Sequence, residues 1–445
     1  MKILFVSLGC DKNLVDTEKM LGLLAKAGHT FTDDEAEAEV IIVNTCCFIG
    51  DAKEESINTV LELAAQKEEG KCRALLVTGC MAERYREEVL KEMPEVDGIL
   101  GISSLQEIPL LVEEAVAAHR PVIFHPKEEL PDTGSARVVT TGGHYAYLKI
   151  AEGCDKRCTY CIIPSIRGPY RSVPEEKLLE EARQLAQAGV KELILVAQET
   201  TVYGVDLWGE KRLPQLLKKL VRIPGIQWIR LQYCYPEELT EELIQVMKEE
   251  PKICHYLDIP IQHASDRILK RMGRRTTQEQ LRRTIAWLRE EIPDIALRTT
   301  LIAGFPGETQ EDHEEMMRFV DEMEFERLGV FTYSAEEDTP AAGFSDQVEE
   351  ERKCLWRDEI MELQQEISEE HCASMNGKVL EAMVEGQLSG ERAYVARTYM
   401  DAPGVDGYLF IQTPEELVSG TFVQVRVTGA LEYDLIGELY HESAE

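Results

Sequence analysis

Twelve cysteines occur in this 445-residue chain, and six of them stand where thiolates could act together. The stretch "EGCDKRCTYCIIPSIRG" spaces Cys154, Cys158 and Cys161 as CxxxCxxC directly after an apolar run. Three thiolates on one tight loop can hold three irons of a 4Fe-4S cube and leave the fourth iron open for a small molecule. Zinc would need a fourth protein ligand, and no His or Cys lies conveniently close in sequence. A disulfide cannot use three cysteines. Three more, Cys10, Cys46 and Cys80, each close a short apolar run: "MKILFVSLGC", "VIIVNTCC" and "ALLVTGC". Any one of them reads as a buried structural thiol, because free cysteine is among the most buried residue types. Three at equivalent run ends have the arithmetic of a second open cube.

The elements that would position these residues are legible as hydrophobic patterns. The first hundred residues alternate apolar strands ("KILFVSL", "EVIIVNT", "ALLVTG") with helices ("DTEKMLGLLAKAG", "KEESINTVLELAAQKEEG"). Nearly continuous apolar strands separated by helices predict a parallel sheet covered on both faces, with ligands at the carboxyl ends of the strands. Cys10, Cys46 and Cys80 would share that edge. After the turn-rich "HPKEELPDTGSARVVTTGG" a second series begins: "AYLKIAEG", "ELILVAQET", "QWIRLQYCYP", "YLDIPIQH", "IALRTTLIAGFPGE" and "RLGVFTYS". Six strand and helix units predict a complete or partial parallel barrel, again with its functional residues at the carboxyl ends. "EEERKCLWRDEIMELQQEISEEHCASMNG" reads as a long helix leaving the barrel, and the short strands beyond Gly377 predict a small antiparallel barrel. The expected fold class is therefore α/β with a small terminal β-barrel, in units spanning 1–125, 140–370 and 375–445.

Composition narrows the partners. With 48 Lys and Arg against 82 Asp and Glu, the net charge of −34 repels nucleic acid and favours basic partners. The apolar start from Ile3 to Leu8 is too short for a signal-peptide core, and no later segment reaches membrane-spanning length. A cytoplasmic protein without membrane contact is expected, in a compartment where cysteine clusters mean metal or catalysis rather than disulfides.

The Cys154, Cys158 and Cys161 triad, with Tyr160 beside its last cysteine, resembles the radical S-adenosylmethionine superfamily. That resemblance implies a 4Fe-4S cluster whose open iron chelates S-adenosylmethionine and delivers the electron that cleaves it to a 5′-deoxyadenosyl radical. Both triads together, along essentially the whole chain, resemble the methylthiotransferase family: a three-cysteine domain, a radical barrel and a TRAM domain of OB-like form. The family implies two 4Fe-4S clusters, with sulfide held at the amino-terminal one, and no catalytic side chains beyond the cluster ligands. Within it "NTC" implies Cys46 as the ligand and Cys47 as its neighbour, although the sequence leaves an exchange of the two open. A low-potential electron donor such as flavodoxin or ferredoxin is implied as a partner.

"GCDKNLVDTE" and "DIPIQHASDRILKRMGR" resemble the branch that modifies the β-carbon of an aspartate in small-subunit ribosomal protein twelve; the alternative branch modifies adenosine in transfer RNA. The terminal unit from Met375 carries four basic residues against twelve acidic ones, ill suited to phosphates and well suited to a basic ribosomal protein. Against this, Arg267, Lys270, Arg271, Arg274, Arg275, Arg282 and Arg283 form a basic run. It reads as a solvated face or as partners for nearby acids, leaving nucleic-acid contact at most secondary.

Candidates for the S-adenosylmethionine pocket are polar residues at barrel strand ends: Gln198, Gln262, Arg298, which could pair with the methionine carboxylate, and the Gly304 turn. Tyr203 and Asp206 lie near the expected mouth. His263 reads as a satisfied polar residue, and Cys72, Cys234, Cys254, Cys354 and Cys372 as bystanders. A two-cluster electron carrier without turnover is the reading from another class; it predicts no S-adenosylmethionine cleavage on reduction.

Overall fold

The computed structural model describes residues 1–134, 137–389 and 392–441. Its first sheet is built from β1 (Lys2–Ser7), β2 (Thr30–Phe31), β3 (Val40–Thr45), β4 (Ala74–Gly79), β5 (Gly98–Leu100) and β6 (Val122–Ile123). All neighbours are parallel, in the order β2-β1-β3-β4-β5-β6. Every residue of β3 and β4 is buried, which is why both read as unbroken apolar runs. Helices cover both faces, with Met20, Leu24, Leu111 and Val112 on one side and Val60, Leu63, Met81 and Val89 on the other. The strand order reverses between β1 and β3. Such a reversal opens a crevice at the carboxyl ends of the two strands, and Cys10 and Cys46 flank it.

The second sheet runs in sequence order through β7 (Tyr145–Lys149), β10 (Glu192–Val196), β11 (Trp228–Leu231), β12 (Ile253–Asp258), β13 (Ala296–Ala303) and β14 (Arg327–Thr332). Its neighbours are all parallel, and among the described residues it stays open, with β7 and β14 at its edges: a partial barrel. A two-stranded ribbon of β8 (Ala151–Glu152) and β9 (Arg171–Ser172) brackets the cysteine loop. The long helix, Glu350–Ser374, does not leave the barrel as expected. Trp356, Ile360 and Ile367 form a helical stripe that joins the barrel core, so this helix lies against it.

The terminal unit is a closed barrel of β15 (Val379–Gln387), β16 (Ala393–Thr398), β17 (Leu409–Gln412), β18 (Phe422–Ala430) and β19 (Leu435–Leu439), in the order β15-β16-β17-β19-β18. It departs from the expected all-antiparallel pattern at one seam, because β17 and β19 run parallel. This barrel packs on the amino ends of the second sheet. Trp228, Cys254 and Ala296, from the first halves of their strands, enter its apolar core together with Tyr256. Fully buried Glu192, the first residue of β10, accepts from Arg230 Nε at 2.7 Å and from Arg397 Nη2 at 2.6 Å. Burial pushes the Glu192 carboxyl up, but Arg397 and Arg230 outweigh it and hold the group below the usual carboxylate range. Arg327, opening β14, pairs with Asp401 in the same way. The terminal barrel therefore closes the end of the radical barrel opposite the cysteine loop.

Candidate active site

Three strand ends of the first sheet converge on the amino-terminal cysteines, pinned by side chains rather than by the ladder alone. Asn13 Nδ2 donates to the carbonyls of Leu8 (3.1 Å) and Thr45 (3.0 Å), tying the exits of β1 and β3. Thr45 Oγ1 donates to the Thr78 carbonyl at 2.6 Å, tying β3 to β4. Gly9 has φ +85°, and a Cβ there would stand 2.7 Å from the Cys46 Cβ, so only glycine lets these two exits meet. Gly79 is likewise left-handed, at φ +89°, where β4 turns into the helix Cys80–Tyr85. Cys46 is buried and its thiol is pushed up, by burial first and by the Cys10 charge among lesser causes. Cys80 is pushed up by burial, with Arg167 opposing and Cys46 and Cys10 adding to it. Cys47 turns instead into the apolar cluster with Val43, Val60 and Met81, and its thiol is pushed up to about 12, chiefly by burial.

The second triad sits on a single loop between β8 and the helix Ile163–Arg167. Cys154 and Cys158 are buried and Cys161 partly so; burial pushes the Cys154 and Cys161 thiols up to about 12, and each feels Cys158. Clefts flank the loop: one lined by Cys154, Tyr170 and Glu199, another by Cys158, Tyr235 and Arg274. All twelve cysteines are free thiols. Among the described residues no three Cys, His, Asp or Glu side chains close on one point as a single metal ion requires. A cubane seats its thiolates on three different irons. Two all-thiol triads, each beside a crevice, fit that donor pattern.

The two domains are bridged beside the triads by a buried polar network. Arg167 reaches from the end of the helix after Cys161 to the other domain: its Nη2 donates to Asn13 Oδ1 and lies 3.6 Å from Cys80 Sγ. Its Nη1 lies 3.2 Å from Asp16 Oδ2 and 2.9 Å from Glu152 Oε1. Lys149 pairs with the same two carboxylates. Burial pushes Glu152 up, but Arg167 and Lys149 outweigh it and hold it well below the usual carboxylate range. A second bridge runs from the loop after β14: Arg84 pairs with Glu336 at 3.0 Å, and Gly50 N–H donates to Ser334 Oγ at 3.2 Å.

The three parts of this chain match three family models: Uncharacterized protein family UPF0004 over residues 2–101, the radical SAM superfamily over 148–320 and a TRAM domain over 377–439. It is 61% identical to the ribosomal protein uS12 methylthiotransferase RimO of Lachnoclostridium phytofermentans, over 98% of this chain and 99% of that one. It is 51% identical to the RimO of Pelotomaculum thermopropionicum over the same shares, and 50% identical to that of Acetivibrio thermocellus over 100% and 99%. The chain belongs to the RimO methylthiotransferase family. Radical S-adenosylmethionine chemistry on an iron-sulfur cluster comes with that membership. Among solved structures, the methyltransferase TsrM from Kitasatospora setae has a similar fold, with a TM-score of 0.55 at 15% identity over 74% of each chain.

The other residues that RimO family membership and strand-end logic single out are distributed unevenly. Gln198 stands beside the network, donating to Glu152 Oε1 at 2.9 Å while its own buried Oε1 has no partner among the described residues. Gln262 follows β12 at φ +72°, a left-handed conformation that is uncommon outside glycine. Arg298 is a correction: it is the third residue of β13, near the amino end, and its guanidinium is taken by Asp258 (3.0 Å) and Asp406 of the terminal barrel (3.2 Å). At Gly304 the close approach comes from the Lys353 side chain of the long helix. Tyr203 is buried, donating to the Val173 carbonyl, and Asp206 accepts from Ser172. His263 is fully buried, with Nδ1 taking the Ser265 N–H. In the basic run Arg267, Arg271, Arg282 and Arg283 pair with Asp312, Asp346, Glu322 and Glu279.

Four residues escaped the sequence reading. Asn13 and Arg167 lie inside quoted motifs, three residues after Cys10 and six after Cys161, and that proximity was the available signal. Glu199, next to Gln198, lines the cleft of Cys154, and burial pushes its carboxyl up to about 7. Tyr233 follows β11 at φ +59°, with its hydroxyl donating to Asp11 Oδ1 at 3.0 Å and Lys12 Nζ 3.2 Å from its ring centre. Strained residues of this kind gather at functional sites.

Proposed function

We propose that this protein methylthiolates the β-carbon of an aspartate in ribosomal protein uS12, using two 4Fe-4S clusters held by Cys10, Cys46 and Cys80 and by Cys154, Cys158 and Cys161. The observation that carries the reading is the pair of three-thiol sites, one per domain, with buried polar bridges joining the two domains beside them at the carboxyl ends of both sheets. Near-full-length identity to RimO proteins supports the same substrate, and the transfer-RNA alternative finds no support among these relatives. When bound, the barrel cluster supplies one-electron cleavage of S-adenosylmethionine, and the amino-terminal cluster supplies an open iron for sulfide.

The chain's own residues hold and orient. Cys46 is the ligand in this reading, because it packs on Gly9 at the exit of β1 and feels Cys10. Gln198, whose Oε1 has no partner among the described residues, and Gln262 are the pocket residues for S-adenosylmethionine; Arg298 and Gly304 serve the contact with the terminal barrel and the long helix. The functional units are 1–125, 140–370 and 375–445, and each contains one of the three sheets. Among the described residues no helix is long and apolar enough to cross a membrane. A cytoplasmic site of action follows from a ribosomal substrate and twelve free thiols. The charge of −34 suits a basic ribosomal protein, and a low-potential carrier such as flavodoxin or ferredoxin supplies the electron.

The test is mass spectrometry of purified uS12 and of transfer RNA after anaerobic incubation with the reconstituted protein, reductant, sulfide and S-adenosylmethionine. One methylthio group on a single uS12 aspartate is expected, with transfer RNA unchanged. Methylthioadenosine in the RNA and unmodified uS12 would overturn the substrate assignment.

A further inference from the structure

We infer that Arg167 is a positioning residue that couples the two cysteine sites: it fixes the amino-terminal triad against the radical barrel and donates an N–H to the Cys80 sulfur. The inference rests on the proposed reading of Cys80 as a cluster ligand.

The geometry singles out this side chain. It is 1% exposed, on the short helix that begins two residues after Cys161, yet its partners Asn13, Asp16 and Cys80 all belong to the first domain. Asn13 is also the residue that ties the exits of β1 and β3, so Arg167 holds the pin that holds Cys10 and Cys46. Its carbonyl accepts from Arg171 Nη2 at 2.8 Å, which fixes the end of the helix from the barrel side.

Charge accounts for the choice of arginine. The groups facing Arg167 are the carboxylates of Asp16 and Glu152, the side-chain oxygen of Asn13, the ammonium of Lys149, the guanidinium of Arg171 and the thiols of Cys80, Cys10 and Cys46, with Gln198 sharing Glu152 Oε1. A thiolate at Cys80 adds negative charge to this set, and among the described residues Arg167 Nη2 is the donor that meets its sulfur. One guanidinium edge serves the carboxylates while the other serves Asn13 and Cys80, a division that the single point of a lysine ammonium does not reproduce. Hydrogen bonds to cluster sulfurs are a principal lever on reduction potential, and a donor stabilises the more negative, reduced form. Lys149 touches the same carboxylates and no cysteine, which makes it the control for the network as a whole.

The test uses the full chain with Cys154, Cys158 and Cys161 all changed to Ala, so that one cluster remains, and compares Arg167→Met, Arg167→Lys and Lys149→Met in that background. Iron content and an EPR-monitored redox titration are the readouts. Arg167→Met is expected to lower the midpoint potential, Arg167→Lys to lower it less, and Lys149→Met to shift it least. If Arg167→Met does not fold, Arg167→Lys keeps the buried charge and carries the test alone. An unchanged potential in the Arg167 variants, or an equal shift in Lys149→Met, overturns the inference while leaving the cluster assignment standing. Absence of iron from the parent background overturns the assignment of the amino-terminal triad and the inference with it.

Discussion

The two cysteine triads are assembled by opposite routes. The barrel triad is local: three thiols within eight residues, on a loop whose path is set by the β8–β9 ribbon and the helix start at Ile163. The amino-terminal triad is dispersed over seventy residues and exists only when three strands align in register and Asn13, Thr45 and Gly9 bring their ends together. A local site tolerates changes in the sheet behind it. A dispersed one depends on every pin, which is why its neighbourhood is crowded with buried hydrogen bonds and reinforced from the barrel through Arg167. The comparison teaches that the second site is the more fragile of the two, and that its integrity depends on the domain contact.

Breaking the comparison outright should have the largest effect. Cys158→Ala is expected to remove the barrel cluster and cut bound iron to about half, leaving the amino-terminal cluster in place; Cys80→Ala should give the mirror result. Iron analysis with Mössbauer spectra of both variants checks this, and loss of all iron in either would mean that the sites are not independent. Next in size is a control at the opposite end of the barrel. Glu192→Gln leaves Arg230 buried without its counter-charge while Arg397 keeps Glu385, and should cost about 3–5 kcal/mol of stability with both clusters still loaded. Urea unfolding of the apoprotein measures it.

A smaller change sharpens the difference between the triads. Asn13→Ala removes the donor to the Leu8 and Thr45 carbonyls and should cost about 1–3 kcal/mol, while iron falls at the amino-terminal site only. Equal loss at both sites would contradict the pinning role. The smallest effect is expected at the neighbouring thiols. Cys47→Ala should cost roughly 1 kcal/mol and keep full iron, whereas Cys46→Ala loses the amino-terminal cluster; the reverse pattern would exchange the two assignments.

Legibility followed the same division. The spacing of Cys154, Cys158 and Cys161 is a property of the chain, and so was readable directly. Cys10, Cys46 and Cys80 were readable because each ends an apolar run, and parallel strands put their ends on one edge. Arg167 and Asn13 were not, because their partners are set by how two domains meet, which no local pattern records. Arg298 stands early in "IALRTTLIAGFPGE", toward the amino end of its strand, and what no local pattern records is that Asp406 of the terminal barrel meets it there. The long helix reads as leaving the barrel, and the stripe of Trp356, Ile360 and Ile367 that holds it there is spread among many charged residues.

The most direct measurement of the central claim is to quantify 5′-deoxyadenosine and methylthiolated uS12 in the same reaction, for the parent protein and for Cys10→Ala. The account predicts that Cys10→Ala still releases 5′-deoxyadenosine from S-adenosylmethionine on reduction and yields no methylthiolated uS12. Full product formation by Cys10→Ala would contradict it, since the dispersed triad would then be structural and the barrel sufficient alone.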